Sequence, residues 1–405
     1  MRKCKICGNL VKTIVNFGKM PLANGFVRDI PKDEFKFPLI VGFCPVCYMV
    51  QLEETVKPNQ MFNENYAFIS STSNAMAKHF EEYANHIMRD IIKGKKNPFV
   101  VELGSNDGIM LKHIAKNNIM HLGVEPSHNV AELARANGVN TIEAFFNKET
   151  AEIILNKYGK ADVICGANVM CHIENINSVY EGVNVLLKDD GVLFFEDPYI
   201  YDIVLKNSFD QIYDEHVFYF SGLSISQLAK RHGMQLIDMK HQEVHGGSMR
   251  YYIKKGFVNK QSKEVDNYIE KEKKLNMDKY EGYVKFKDNV KNVCKDLKNL
   301  LVKIKKEGNR IVGYGATSKS TTLLNYAKIG PDLIDYICDI TPTKINKYTP
   351  GTYIPIKSYE HFVKDNVSYV LLLAWNHKEE ILKKETRYRE RGGKFITFFP
   401  KVIVE

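Results

Sequence analysis

The segment VVELGSNDGIML, Val100 to Leu111, constrains the fold of this chain more than any other. Apolar Phe99, Val100, Val101 and Leu103 make a short run suited to a buried strand, and Gly104 and Gly108 give a tight turn before a helix predicted to begin near Ile109. Glycines at such a turn let backbone amides approach a ligand closely. A second strand, His121 to Val124, ends in Glu125, a carboxylate placed to accept both hydroxyls of a ribose. Strand, glycine turn, helix, strand and acid form a nucleoside-binding layout, one that dinucleotide sites share. A plain glycine turn of an α/β domain is the alternative, and the downstream acid argues against it.

Two details narrow the ligand. The turn reads E-x-G-x-N-x-G rather than G-x-G-x-x-G, and Glu102 can reach the amino acid end of the ligand. Both resemble the S-adenosylmethionine loop of class I methyltransferases. That resemblance, taken with the topology, puts Gly104, Asn106 and Asp107 along the methionine portion and Glu125 on the ribose. It puts Phe145 or Phe146 beside the adenine and Asn168 at the end of the strand beneath the sulfonium.

At 405 residues two or three domains are expected, and 44% hydrophobic with 26% charged residues is ordinary for a globular protein. No apolar run approaches the length of a membrane span, and the start, MRKCKICGNL, has no signal-peptide core. A cytoplasmic setting is expected. The net charge of +9 raises the question of nucleic acid. Yet the lysines crowd into 254–306, where both signs alternate at helical spacing and Leu297, Leu300, Leu301 and Ile304 share one side. A solvated helix face is the reading, and neither a nucleic acid nor a membrane partner is expected.

Cys4 and Cys7 form one C-x-x-C pair, and Cys44 and Cys47 another, with Gly8 after the first and Pro45 inside the second. Paired knuckles of this kind are the ligand pattern of a tetrahedral Cys4 zinc site. Disulfides would be reduced in the cytoplasm. Four thiolates leave the metal no open position, so the zinc is expected to be structural, holding together a segment too short for a large core of its own. A zinc ribbon that binds nucleic acid is the rival reading. Cys165, Cys171, Cys294 and Cys338 lack ligand spacing and are expected to fill apolar space.

The remainder alternates strand and helix signals. VICGANVM and GVLFFEDPYI read as strands, Ser224 begins a helix through Arg231, and MQLIDMKHQEV with SMRYYIKK reads as a strand pair. A doubly wound sheet with an antiparallel edge follows, and ligands of such sheets bind beyond the carboxyl ends of the strands. Asn168, His172, Glu196, Asp197 and Tyr199 are placed to line a pocket there. NRIVGYGATSKSTTLLNYA then repeats the logic of strand, glycine turn and helix, with Ser318 and Lys319 at a helix start suited to an anion. The alternative is that Ser318 caps the helix and Lys319 is solvated. The expected fold class is α/β, divided as a zinc-binding domain (1–65), a methyltransferase domain (66–256), a helical connector (257–307) and a second Rossmann-like domain (308–405).

Several landmarks together resemble the S-adenosylmethionine-dependent sugar C-methyltransferases that act on nucleotide-linked ketosugars. They are the paired knuckles, NENYAFISSTSNAMAKHF, VELGSNDGIML, YDEHVFYFS, VHGGSMRYY, GYGATSKSTTLLNY and CDITPTKINKYTPG. The resemblance spans the chain. It implies a reaction in which a base removes a proton beside a ketone, at carbon 3 of a 4-ketosugar, and the carbon nucleophile takes the methyl group. By the same resemblance His216 is the base, Glu215 steers its ring or touches substrate, Tyr213 donates near the developing enolate, and His172 lines the site with an aromatic that is Tyr66 or Phe68. Lys319, Ser318, His245 and Tyr199 fall on the substrate side. O- or N-methylation of a related sugar and RNA methylation are the alternatives.

Overall fold

In the computed structural model, which describes residues 2–57, 74–257 and 261–405, the chain opens on two matched knuckles. Cys4 N donates to Asn9 O and Gly8 N to Cys4 O, while Cys44 N donates to Met49 O and Tyr48 N to Cys44 O. The same turn is therefore built twice. Its last residue is left-handed both times, Gly8 at φ +77° and Tyr48 at φ +61°. The ligand sulfurs of Cys4, Cys7, Cys44 and Cys47 all lie within 4.8 Å of one another, with Cys4–Cys47 and Cys7–Cys44 each at 3.5 Å. A tetrahedral zinc with bonds of ~2.3 Å holds its sulfurs roughly 3.8 Å apart, so the four fit the ion.

Around the knuckles, β1 (Lys12–Pro21), β2 (Lys36–Phe43) and β3 (Val50–Leu52) pair antiparallel. The chain then builds β4 (Phe99–Leu103), β5 (Met120–Val124), β6 (Thr141–Ile142), β7 (Ala161–Ala167), β8 (Leu187–Pro198), β9 (Phe218–Tyr219), β10 (Met234–Gln242) and β11 (Ser248–Lys255). All but β9 form a seven-stranded sheet in the order β10-β11-β8-β7-β4-β5-β6. It is parallel from β6 to β8, with an antiparallel edge at β11 and β10. Every residue of β4 is buried, as a parallel strand covered on both faces requires. Strand order reverses between β4 and β7, which opens the crevice where such sheets bind ligands.

Two helix starts differ from the sequence reading. The helix after the glycine turn begins at Leu111, because Ile109 and Met110 are still spent on the turn. The later helix spans Gly222–Arg231, and Ser224 is its third residue rather than its first. Ser221 is the cap: Ser224 N donates to Ser221 Oγ at 3.0 Å, and Ser221 N donates to Ser224 Oγ at 2.9 Å.

Helices Lys263–Lys274 and Val284–Lys306 lead to the third sheet. The second buries Phe286, Val290, Val293, Leu297, Leu301 and Ile304 along one stripe, with Leu300 at its margin, and leaves its lysines to solvent. β12 (Ile311–Tyr314), β13 (Ile337–Asp339), β14 (Ile356–Ser358), β15 (Tyr369–Leu372), β16 (Lys394–Thr397) and β17 (Ile403–Val404) follow in the order β14-β13-β12-β15-β16-β17. The pairs are parallel except β16–β17. Among the described residues no helix is long and apolar enough to cross a membrane.

The three sheets interlock. β9 abandons the central sheet and pairs with β3, Val50 opposite Tyr219 and Gln51 opposite Phe218. Leu52 N extends the contact to Val217 O, and Val217 N reaches Cys171 O, both at 2.8 Å. Phe17 of β1 packs edge-on against Tyr326 of the third unit, centroids 5.0 Å apart, within one shared core. Because the metal fixes the turn that feeds β3, chelating it should lower the main unfolding transition by roughly 5 to 10 °C. Calorimetry on chelated protein and on Cys44→Ser checks this. A main transition left in place, with a small separate one lost, would contradict it.

Candidate active site

The glycine turn after β4 and the loop after β7 meet in the crevice. A Cβ on Gly104, which has φ +61°, would stand 2.6 Å from Val169 Cγ2, so glycine is required both by conformation and by the close approach of the second loop. Glu125 at the end of β5 ties the turn down: Asn106 N donates to Oε2 at 3.0 Å and Ser127 N to Oε1 at 2.9 Å. Burial pushes its carboxyl up, against those two backbone donors. Each oxygen keeps a lone pair for a ribose hydroxyl. Phe145 is 48% exposed, while its neighbour Phe146 is buried in the core. Gly104, Asn106, Glu125, Phe145 and Asn168 all line one cavity of about 1440 Å³.

That cavity continues past Tyr213, Glu215, His216 and His172 to His245, Ser318 and Lys319. His216 Nδ1 lies 2.9 Å from Gln211 O, and Nε2 lies 2.9 Å from the Tyr213 hydroxyl. A carbonyl only accepts, so Nδ1 carries the proton and Nε2 accepts from Tyr213. The His172 ring meets His216 edge-on at 5.0 Å. Burial, then His172 and Lys319, hold the His216 imidazole well below the usual histidine range. Burial also lowers His172, to about 4. Beneath them the Cys171 sulfur lies within 4.8 Å of ligand nitrogens of both histidines, a proximity that sequence spacing did not reveal. Burial keeps it a neutral thiol.

Glu215 is buried beside Asp214, and burial with that like charge raises its carboxyl to about 8. Its Oε1 accepts from Asn24 Nδ2 at 2.6 Å, and Asn24 Oδ1 accepts from the Ser318 hydroxyl at 2.7 Å. Ala23 N donates to Asp214 Oδ1 at 2.8 Å. A loop of the first sheet thus stands between the Tyr213–His216 segment and the third unit. There the helix Ser318–Ala327 is capped by Thr317, whose hydroxyl accepts from Ser320 N, so Ser318 is free of capping and bonds Asn24 instead. Lys319 is half-buried, donates to His245 O at 3.2 Å and lies 5.5 Å from the Trp375 ring centre. Burial lowers its ammonium, and Asp210 partly restores it.

Four sequence-derived placements need comment. Tyr199 is turned away from the cavity: its hydroxyl donates to Glu272 Oε1 at 2.7 Å inside the core, the helix Lys263–Lys274 having covered it. Glu102 is buried within β4 and Asp107 within the turn, and neither lines the cavity wall. Burial drives the Glu102 carboxyl well above its ordinary range, helped by Asp107 and Glu125. Tyr66 lies outside the described residues. Asn24, Gln211, Lys344 and His79 line the cavity and were not singled out from sequence. Lys344 donates to Ala316 O at 2.9 Å, and Gln211 Oε1 is a buried acceptor without a partner among the described residues. Lys344 and His79 lie inside quoted landmark segments; Asn24 and Gln211 carry no motif signal.

Fold, cavity and sulfur cluster together define an S-adenosylmethionine-dependent methyltransferase with a zinc-binding N-terminal domain. Residues 4–62 match a zinc binding domain family, 76–238 a methyltransferase domain family and 243–400 the C-methyltransferase C-terminal domain family. The chain is 32% identical over 403 residues to C-methyltransferase NovU of Streptomyces niveus, covering 98% of this chain and 96% of that protein. It belongs to the C-methyltransferase family. Among solved structures, an S-adenosylmethionine-dependent methyltransferase from Clostridium acetobutylicum aligns with 44% of this chain and 92% of its own, at 16% identity and a TM-score of 0.36. Magnesium protoporphyrin IX methyltransferase from Synechocystis aligns with 45% and 82%, at 11% identity and 0.34. Neither bears on the substrate.

Removing the Asn24 amide strands both Glu215 and Ser318. Asn24→Ala should lower kcat roughly ten- to a hundredfold while leaving S-adenosylhomocysteine affinity unchanged, as steady-state rates and calorimetric titration would report.

Proposed function

We propose that this C-methyltransferase acts on a nucleotide-linked 4-ketosugar, placing the methyl on carbon 3 through an enolate, in the cytoplasm. The observation that carries the reading is the neutral His216, its tautomer fixed by Gln211 O, in a cavity shared by the glycine turn and the Lys319 helix. S-Adenosylmethionine supplies an electrophilic methyl, so the task left to the protein is to make a carbon nucleophile. Gly104, Asn106 and Glu125 hold the cofactor, with Phe145 beside the adenine and Asn168 near the sulfonium.

His216 Nε2 takes the proton from the carbon beside the ketone, and the C–H electron pair becomes the enolate double bond, with charge on oxygen. The Tyr213 hydroxyl turns from Nε2 to donate to that oxygen. The enolate carbon then bonds the methyl, and the C–S pair stays on sulfur. Glu215, a carboxylic acid at pH 7, donates to the sugar, and His172 lines the site beside it. Lys319, Ser318 and His245 face the nucleotide, where a diphosphate pairs with the half-buried ammonium.

Two measurements test this. In D2O with S-adenosylhomocysteine bound, wild type should exchange the carbon-3 proton of a nucleotide-linked 4-ketohexose, and His216→Ala should do so ~10²- to 10⁴-fold more slowly. A carbon-13 methyl from labelled cofactor should resonate as a methyl on carbon; one on oxygen would move the reading to O-methylation. The pH profile follows from the shifts. His216 is lowered, so its protonation cuts the rate only well below pH 6.5. Glu215 is raised, so its acid form is lost as pH rises through about 8. Glu215→Gln, which cannot ionise, should remove the alkaline limb; a limb that persists would assign it to another group.

A further inference from the structure

His79 lies on the helix Asn74–His86 and lines the cavity beside Met76 and Phe80. Its Nε2 is 2.6 Å from Glu196 Oε1. Glu196 is fully buried, and its other oxygen accepts two bonds from Arg250, Nε at 3.1 Å and Nη2 at 2.8 Å. Arg250 in turn lies over the Tyr83 ring, 4.4 Å from its centre. This is a costly arrangement to bury, and the mechanism above makes no use of it. A carboxylate so completely satisfied does not itself bind ligand. Its effect is to orient the imidazole.

Strand register shows what the ring faces. Phe194 stacks on Tyr83 at 5.0 Å, so the helix covers that face of β8, and Glu196, two residues on, lies on the same face. Glu102 is opposite Cys165, and Cys165 opposite Phe194, so Glu102 also projects to this face. The ring therefore stands over the side of the sheet on which β4 runs into the glycine turn. Asn168 N, at the loop that meets that turn, donates to Glu196 O at 2.7 Å. Burial pushes the Glu102 carboxyl up, which lessens its repulsion of an anion there. Among the described residues His79 Nδ1 takes no hydrogen bond, and it is the ring atom left for a ligand.

We infer that His79 binds the α-carboxylate of S-adenosylmethionine, its imidazolium bridging Glu196 on one nitrogen and the ligand on the other. The inference rests on the cofactor placement proposed above. An imidazole between two carboxylates must carry both protons, which gives the pair of charge-assisted bonds that a neutral residue cannot supply.

Three adenosine ligands test it by calorimetric titration. S-Adenosylhomocysteine has the carboxylate and amine, S-adenosyl-3-thiopropylamine keeps the amine alone, and 5′-methylthioadenosine has neither. His79→Ala should weaken S-adenosylhomocysteine roughly ten- to a hundredfold and leave the other two within about twofold of wild type. His79→Gln, which can reach Glu196 but carries no charge, should show the same selective loss. Equal losses for all three ligands would make His79 a positioning residue of its helix and overturn the inference, as would unchanged affinity for S-adenosylhomocysteine. Wild type that binds none of the three would overturn the cofactor placement itself. The Glu196–Arg250 pair is intact in both variants, and an unliganded melting temperature equal to wild type confirms that they fold.

Discussion

Two residue pairs between β3 and β9 hold the Tyr213–His216 segment in place. The first sheet begins at a cysteine knuckle, passes through Val50 and Gln51, and hands its last hydrogen bond, from Leu52, to Val217, the neighbour of His216. Val217 then bonds the carbonyl of Cys171, next to His172. Both histidines of the cavity are thus one residue from a single backbone chain that starts near the metal. A two-residue strand has little intrinsic stability, so its geometry is inherited from the sheet it joins. This explains why a structural zinc site sits on an enzyme whose chemistry does not use the metal.

The second organising constraint is dryness. Asp210, Asp214 and Glu215 are all raised by burial, to about 7, 6 and 8, while Lys319, Lys344 and His216 are lowered. Acids there are pushed toward their neutral forms, and so are bases. Charge that develops on a substrate oxygen in such a place is felt strongly by the few oriented donors around it. In the function proposed above, the Tyr213 hydroxyl, aligned by His216, is one such donor.

Sequence patterns carried the parts governed by local rules. The buried run at β4, the glycines after it and the acid ending β5 gave the cofactor half, because each is dictated by backbone geometry within a few residues. The paired cysteines gave the metal cluster for the same reason. Helix starts slipped where turn chemistry competed: Ile109 stays in its turn, and Ser221 rather than Ser224 is the cap. Tyr199 looked available at the end of β8, but its position depends on Glu272, far along the chain. Asn24 and Gln211 carry no local signal, since they acquire a role only when distant segments meet. The exchange of β9 between sheets was unreadable for the same cause.

The Asn24 bridge joins residues 191 and 294 positions apart. At ~5–20 residues per second of synthesis, Asn24 leaves the ribosome roughly 15 to 60 s before Ser318 exists. The nascent chain can form the knuckles and then the cofactor crevice in that interval, but its acceptor half has no wall. A chain organised this way closes the Asn24–Ser318 side of its cavity only when the last domain has left the ribosome.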